Sequence, residues 1–287
     1  WDNITCKGHF PVLADEYIAW GEIMKAEFIE YYNIAAEKIH VCGVPHFDLH
    51  IESRDQPKPQ KYLKELGLEP NQPYLFFGMS SPRFAPREID IVECLAEQIQ
   101  KDVFGKTMQL VIRPHPQNVQ GNMADQSWLP RLNSINKGKV AVDFPNIVQS
   151  KLPWSMQLQD MNRLSNLLAG CTLSMNSGST LSIDALMCGV PVVLTSFDAE
   201  ESLDYWSSAR RLVDYPHLKK LTDLGGVNTV LSFTDLTKEI SKFIDDPRMN
   251  MDERELTIIQ QCNNYKKAST PKVVGVLYSL VKYHGVK

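Results

Sequence analysis

The sequence has no long apolar run: no stretch approaches the roughly 18 consecutive apolar residues that a membrane-spanning helix needs. It also has no CxxC pair, because its 6 cysteines stand singly along the chain. That spacing argues against a zinc ribbon. It favours reduced cysteines that pack as small hydrophobic residues in the core of a cytosolic protein.

A basic stripe is lacking as well. The net charge is −4, and no run of Lys and Arg is interleaved with aromatic residues, so nucleic acid is not an expected partner. No Gly-x-Ser-x-Gly elbow indicates a hydrolase. We predict no metal site and no cofactor, because the histidines show no metal-ligand spacing with a carboxylate. The histidines considered are His9, His40, His46, His50 and His284.

The amino-acid composition of the chain is ordinary for a globular protein. Of its 287 residues, 43% are hydrophobic and 22% are charged, which provides ample core for folding. This length suits one large domain, or one domain with part of a second. The sequence opens on Trp1 rather than on Met, which favours a processed or partial chain.

Short apolar runs alternate with amphipathic stretches, which predicts a Rossmann-like α/β fold with a doubly wound parallel sheet. A polar, proline-bearing stretch from Arg54 to Gln60 indicates a linker. We therefore predict two parts, residues 1–56 as the end of a first domain and residues 57–287 as a second domain. The predicted strands are 17–21, 39–43, 74–78, 108–112, 139–144, 172–175 and 191–195. The predicted helices are 22–32, 86–100, 159–169, 179–188, 236–244, 253–265 and 272–283.

The strongest motif is a small polar turn between a predicted strand and a predicted helix. The turn is Asn176-Ser177-Gly178-Ser179-Thr180, and a Gly-Val-Pro segment and an apolar strand follow the helix. Small residues and free helix N–H groups suit the phosphates of a ligand. Asp184, further along the helix, can accept hydrogen bonds from sugar hydroxyls. The plainer alternative is a helix cap that binds nothing.

This segment resembles the donor-binding stretch of GT-B glycosyltransferases and of the related nucleotide-sugar 2-epimerases. The resemblance implies that residues 176–180 hold the donor diphosphate. It also implies that Asp184, a shorter acid than the usual Glu, contacts the ribose. Gly43-Val44-Pro45-His46-Phe47-Asp48 is similar to the last turn of the first domain in bacterial surface-glycan transferases. The resemblance covers roughly residues 1–200.

Three further segments contain residues that are candidates for contact with the donor or the acceptor. Arg113-Pro114-His115-Pro116 ends a predicted strand, where ligands of open parallel sheets bind. It is similar to a stretch in capsule transferases and in glycerophosphotransferases of teichoic acid assembly, which implies that Arg113 and His115 contact phosphate. A proline-stiffened surface turn is the alternative. The loop Gly78 to Pro86 offers Ser80, Ser81 and Arg83 to a phosphate or an acceptor, and His217 is a candidate for the acceptor cleft.

The resemblance implies a metal-independent glycosyltransferase that moves a sugar from a nucleotide-sugar donor to a surface-glycan hydroxyl, in capsule or lipopolysaccharide synthesis. Alternatives are a nucleotide-sugar 2-epimerase, a CDP-glycerol-type glycerophosphotransferase, and a non-catalytic nucleotide-binding or scaffold module. Expected partners are the donor, a glycan or lipid-linked acceptor, and the rest of the first domain. The expected location is cytoplasmic, with peripheral contact to the inner membrane face left open. Replacing Arg113 with alanine separates a phosphate contact, which predicts lost nucleotide affinity, from a structural role, which predicts lost stability.

Overall fold

The computed structural model describes residue 4 and residues 8–119, 125–148, 156–263 and 266–283. The strands are β1 (Tyr17–Ala19), β2 (Ile39–Val41), β3 (Tyr74–Gly78), β4 (Gln109–Arg113), β5 (Val140–Val142), β6 (Leu173–Asn176), β7 (Val192–Thr195) and β8 (Asn228–Val230). The helices are α1 (Glu22–Tyr32), α2 (Asp48–Asp55), α3 (Gln60–Glu65), α4 (Glu88–Gln100), α5 (Pro116–Val119), α6 (Trp128–Ile135), α7 (Leu158–Ala169), α8 (Leu181–Met187), α9 (Pro216–Asp223), α10 (Phe233–Asp245), α11 (Met251–Cys262) and α12 (Thr270–Tyr283). Short 3₁₀ helices span Ala36–Lys38, Pro45–Phe47 and Ala209–Asp214.

A six-stranded sheet forms the centre of the molecule, with all strands parallel and in the order β5-β4-β3-β6-β7-β8. Numbered from β3, this order is 3-2-1-4-5-6, the Rossmann arrangement. The predicted doubly wound parallel sheet is therefore confirmed. Strands β1 and β2 pair in parallel in a separate two-stranded sheet.

The central strands are buried on both faces, which explains their unbroken apolar sequences. In β3, Phe76 packs into one apolar cluster and Leu75 and Phe77 pack into another, on the opposite face of the sheet. Side chains alternate across a strand, so a run such as Tyr74–Gly78 fills both layers at once.

The predicted linker at residues 54–60 overlaps the ends of two helices that the sequence analysis did not predict, and only residues 56–59 connect them. Helix α2 ends at Asp55, and α3 begins at Gln60. Helix α2 packs against α7 and α8. Its buried face includes His50 and Ser53 beside Ile51, so this face is too polar to produce an apolar periodicity.

Contacts distant in sequence hold the first strands and helices to the last helices. The carboxylate of Asp48 accepts hydrogen bonds from the backbone N–H groups of Ser269 (2.6 Å) and Thr270 (3.0 Å) at the start of α12. Glu27 on α1 forms an ion pair with Lys220 on α9. Helices α1 and α2 are therefore held by contacts with α9 and with the start of α12.

The described residues bear on two expectations from composition, that no helix spans a membrane and that the cysteines are buried core residues. No helix among the described residues is both long enough and apolar enough to cross a bilayer. The described cysteines are free, and Cys42, Cys171, Cys188 and Cys262 are buried, whereas Cys94 is half-buried. Burial raises the pKa of the Cys188 thiol well above its ordinary value. These thiols therefore behave as core residues, and Cys6 lies outside the described residues.

Candidate functional site

The candidate site lies where the strand order of the large sheet reverses. Strands β3 and β6 are neighbours at the centre of the sheet. The chain winds from β3 towards β5 on one side and from β6 towards β8 on the other. Ligands of open α/β sheets bind in the crevice outside the carboxyl ends of such strands. Two predicted segments, residues 78–86 and 176–180, follow β3 and β6 directly and so border this crevice.

The buried side chain of Asn176 shapes the turn after β6. Its Oδ1 accepts hydrogen bonds from the backbone N–H groups of Gly178 (2.8 Å) and Ser179 (2.9 Å). Its Nδ2 donates to the hydroxyl of Ser182 at 3.1 Å. Two backbone N–H groups that the sequence analysis assigned to phosphate therefore point at a side chain within the turn. Helix α8 begins at Leu181, two residues later than predicted.

The hydroxyls of this turn fall into two environments. Ser177 is buried and shares a hydrogen bond of 2.9 Å with Thr195 on β7. Ser179 and Thr180 are half-buried, and Ser179 Oγ accepts the backbone N–H of Leu181 at 3.2 Å. Gly178 has a φ of 98°, and a Cβ there would lie 2.8 Å from a methyl group of Leu218, so the turn requires glycine.

The loop after β3 supplies buried polar atoms. Ser80 and Ser81 are buried; the backbone N–H of Ser80 donates to Glu88 Oε2 at 2.6 Å, and Asn118 Nδ2 donates to the Ser80 carbonyl at 3.0 Å. Among the described residues, several buried side-chain atoms here meet no hydrogen-bond partner: Ser80 Oγ, Ser81 Oγ, Glu88 Oε1 and Asn118 Oδ1. Native proteins rarely leave such atoms unsatisfied, so a cluster of them indicates a place for a polar ligand or water.

Glu88 is a site residue that the sequence analysis missed. It stands at the first position of α4 and is 1% exposed. Burial raises the pKa of Glu88 to about 7, although interactions with Ser177 and then with Ser80 oppose this rise. One signal was available, because position 88 continues the buried stripe of Val92, Leu95 and Ile99 on the same helix.

Arg113 lies in a buried network of charges. Its terminal nitrogens form ion pairs with Asp143 and Asp160, and Arg163 Nε donates to Asp143 at 2.6 Å. The Arg113 side chain is 6% exposed and both of its terminal nitrogens face carboxylates. In this arrangement Arg113 connects the end of β4 to the residue that follows β5 and to α7. Its contact with phosphate remains a prediction, and it would require one of these ion pairs to open.

His115 presents one nitrogen for donation. The backbone N–H of Gln117 donates to His115 Nδ1 at 3.1 Å, which assigns the proton of the neutral ring to Nε2. Burial lowers the pKa of His115, so the neutral form is favoured at pH 7. The half-buried ring can therefore donate from Nε2, as a contact to a phosphate oxygen requires.

The remaining candidates, Arg83 and His217, lie on two neighbouring segments. Arg83 is exposed, and its carbonyl accepts a hydrogen bond from the buried Arg211 at 3.4 Å. Arg211 also donates to the Ser208 carbonyl at 2.5 Å, and no carboxylate among the described residues forms an ion pair with it. The sequence analysis missed this cation. His217 is half-buried in the first turn of α9, and the adjacent Leu218 packs against Gly178.

Asp184 is bonded to a histidine from α2. Asp184 is 7% exposed, and its Oδ1 lies 2.7 Å from His50 Nε2. His46 joins them, so that one ligand atom from each residue lies within 4.8 Å of the other two. The sequence analysis found no carboxylate at ligand spacing from His50, because this partner lies 134 positions away in sequence. The expectation that the chain has no metal site stays a prediction. The contact of Asp184 with a ribose remains a prediction.

No protein-family model matches the sequence, and no curated protein matches it. Solved structures do match the fold. The wall teichoic acid polymerase TagF matches with a TM-score of 0.59 and 14% identity, over 95% of this chain and 59% of that one. The UDP-GlcNAc 2-epimerase from Neisseria meningitidis, solved with UDP-GlcNAc bound, matches with a TM-score of 0.56 and 14% identity, over 94% of this chain and 62% of that one. The chain thus spans about three fifths of these proteins, and over that span it has the GT-B-type fold.

Proposed function

We propose that this chain is the donor-binding part of a glycosyltransferase, which moves a sugar from a nucleotide-sugar to a hydroxyl of a surface glycan. The observation that carries the proposal is the cluster of unpartnered buried polar atoms at the reversal point of the sheet. The acceptor is a glycan or a lipid-linked precursor at the cytoplasmic face of a membrane. The remainder of a first domain supplies the acceptor side and the catalytic base.

The polar cluster suits a nucleotide-activated donor. Ser80 and Ser81 offer hydroxyl donors to phosphate oxygens, and Asn118 Oδ1 offers an acceptor to a sugar or ribose hydroxyl. With a pKa of about 7, Glu88 is half protonated near neutral pH, so its repulsion of a diphosphate is reduced. A buried polar atom without a partner costs about 1–3 kcal/mol, which a ligand that satisfies it recovers.

Positive charge and N–H donors complete the proposed donor site. When the donor breaks, the departing nucleotide carries the developing negative charge on its phosphates. In this proposal that charge is stabilised by Arg211, which has no carboxylate partner among the described residues, and by His115, whose Nε2–H meets no partner among them. Fixed donors aimed at developing charge are typically the largest single catalytic contribution.

A second candidate function uses the same donor site for different chemistry. TagF is a wall teichoic acid polymerase, a variant of which has been solved after a soak with CDPG, and another matching structure is an epimerase. Glycerophosphate transfer from a CDP-linked donor and 2-epimerisation of a UDP-sugar are therefore the alternatives that fit this fold. A non-catalytic scaffold is the alternative of another class, and it requires no nucleotide affinity.

A thermal-shift screen against UDP, CDP, CMP, GDP and dTDP conjugates tests the proposal directly. A ligand at 100 times its Kd stabilises the native state by about 2.7 kcal/mol, which corresponds to a Tm increase of roughly 4–5 °C for a chain of this size. We expect a shift with one nucleotide class. A response to UDP-sugars favours glycosyl transfer or epimerisation, and a response to CDP-glycerol favours glycerophosphate transfer. Flat curves for every nucleotide would contradict the proposal and favour the scaffold.

The variant Ser81→Ala tests whether the polar cluster contacts the donor. The Ser81 hydroxyl has no hydrogen-bond partner among the residues that the structure describes, so we expect its removal to leave Tm within about 1 °C. The nucleotide loses one hydrogen bond of about 1 kcal/mol, so its affinity is expected to fall about fivefold. Calorimetric titration measures the dissociation constant of the nucleotide for the unaltered chain and for each variant. Ser241→Ala, on the exposed face of α10, is the matched control. Equal affinity in the Ser81 and Ser241 variants would remove Ser81 from the site.

A further inference from the structure

A group of two histidines and an aspartate joins α2 to α8. His46 lies in the 3₁₀ helix Pro45–Phe47, His50 lies four residues later in α2, and Asp184 lies in α8. One ligand atom from each lies within 4.8 Å of the other two. In a tetrahedral site with bonds of about 2 Å, ligand atoms lie roughly 3.3 Å apart. Small side-chain rotations therefore bring the group to ligand geometry.

The hydrogen bonds of Ser165 favour a proton on His50 Nδ1, which leaves His50 Nε2 facing Asp184. The hydroxyl of Ser165 donates to the carbonyl of Leu49 at 3.0 Å. Its oxygen is then left to accept from His50 Nδ1, which lies 2.9 Å away. In a neutral ring with its proton on Nδ1, Nε2 presents a lone pair, and that lone pair faces Asp184 Oδ1 at 2.7 Å. Two acceptors at this distance require a proton or a cation between them.

The same arrangement is the one that metal-bound histidines show in proteins. A ligating imidazole donates its other N–H to a neighbouring oxygen, which fixes the orientation of the ring. Ser165 accepts that bond here. Two imidazole nitrogens and one carboxylate oxygen are a donor set for Zn²⁺ and similar first-row ions, rather than for Ca²⁺.

We propose that His46, His50 and Asp184 bind one divalent transition-metal ion of the Zn²⁺ class. His46 is exposed, whereas His50 and Asp184 are buried, so the solvent side of the ion keeps a coordination position for a water molecule or an anionic oxygen. The ion connects α2, which follows the N-terminal sheet, to α8, which follows the turn at residues 176–180. The proposal concerns metal binding itself and does not depend on nucleotide transfer.

Titration of the EDTA-treated protein with Co²⁺ tests the site without any nucleotide. Co²⁺ reports nitrogen and oxygen ligation by its visible absorption, and Zn²⁺ is then added as a competitor. We expect one Co²⁺ per chain, displaced by Zn²⁺. His46→Ala removes an exposed ligand, and we expect it to weaken binding by more than about 100-fold, beyond the effect of losing a supporting contact. His9→Ala, which removes another exposed histidine, should bind as the unaltered chain does.

Ser165→Ala supplies a second measurement through a residue that only positions His50. Loss of such a supporting contact typically weakens metal binding by about 10–100-fold, so an intermediate affinity is expected. Failure to bind Co²⁺, or binding that His46→Ala leaves unchanged, would overturn the proposal and would leave His50 and Asp184 as a proton-sharing pair.

Discussion

Replacing Arg113 with alanine is expected to lower the free energy of unfolding by about 3–5 kcal/mol. The change removes the Arg113 ion pairs of Asp143 and Asp160. Both carboxylates stay buried, at most 5% exposed. An unpaired buried charge costs far more than the ion pair contributes. Urea unfolding monitored by circular dichroism measures this change, and in a thermal melt Tm should fall by roughly 5–8 °C.

Arg83→Ala is the matched control for the Arg113 variant. Arg83 is exposed and forms no ion pair among the described residues, so its removal should change stability by less than about 0.5 kcal/mol. If Arg113→Ala instead keeps its stability and loses only nucleotide affinity, the guanidinium serves a phosphate, as the motif Arg113-Pro114-His115-Pro116 suggests.

Replacing Glu88 with glutamine is expected to change how stability depends on pH. The pKa of Glu88 is about 7 in the folded protein and about 4.5 in its ordinary state. Between these values the folded state binds a proton that the unfolded state has released, so this contribution is greatest at low pH and is lost as pH rises through 7. The difference corresponds to about 3 kcal/mol. Glutamine cannot ionise, so the variant should exceed the unaltered protein in stability at pH 8.

Unfolding curves at pH 5, 6, 7 and 8 measure the effect of the Glu88 variant. The difference in stability between Glu88→Gln and the unaltered chain should grow with pH and level off above 8. Glu97→Gln, on the exposed face of the same helix, should follow the unaltered protein. Parallel curves for Glu88→Gln and the unaltered chain would show that the carboxyl is already ionised throughout this range.

The sequence predicted those parts of the fold that depend on local pattern. Strands such as Tyr74–Gly78 and Val192–Thr195 are fully buried, so their apolar runs are unbroken and easy to recognise. Helix α1 matched its predicted bounds, Glu22–Tyr32. Strand β8 was missed because it is a partly exposed edge strand that begins with Asn228 and Thr229.

The partners of the candidate site residues could not be predicted, because they come from distant parts of the chain. Arg113 meets Asp143 and Asp160, which lie 30 and 47 positions away. No periodicity encodes such pairs, since only the winding of the sheet brings their strand ends together. The turn Asn176 to Thr180 was located correctly next to β6. Its internal hydrogen bonds to Asn176 were not anticipated, because small polar residues suit both a ligand and a self-contained turn.

The bonds from Asp48 to Ser269 and Thr270 affect the order in which the chain folds during its synthesis. These groups lie 221 and 222 positions apart. At about 5–20 residues per second, a ribosome needs roughly 10–40 s to make the intervening chain. Throughout that time the carboxylate of Asp48 lacks its partners, and α1 lacks α11, against which it packs. The segment around Asp48 therefore reaches its final contacts only after α12 has been made, long after the segment itself has left the ribosome.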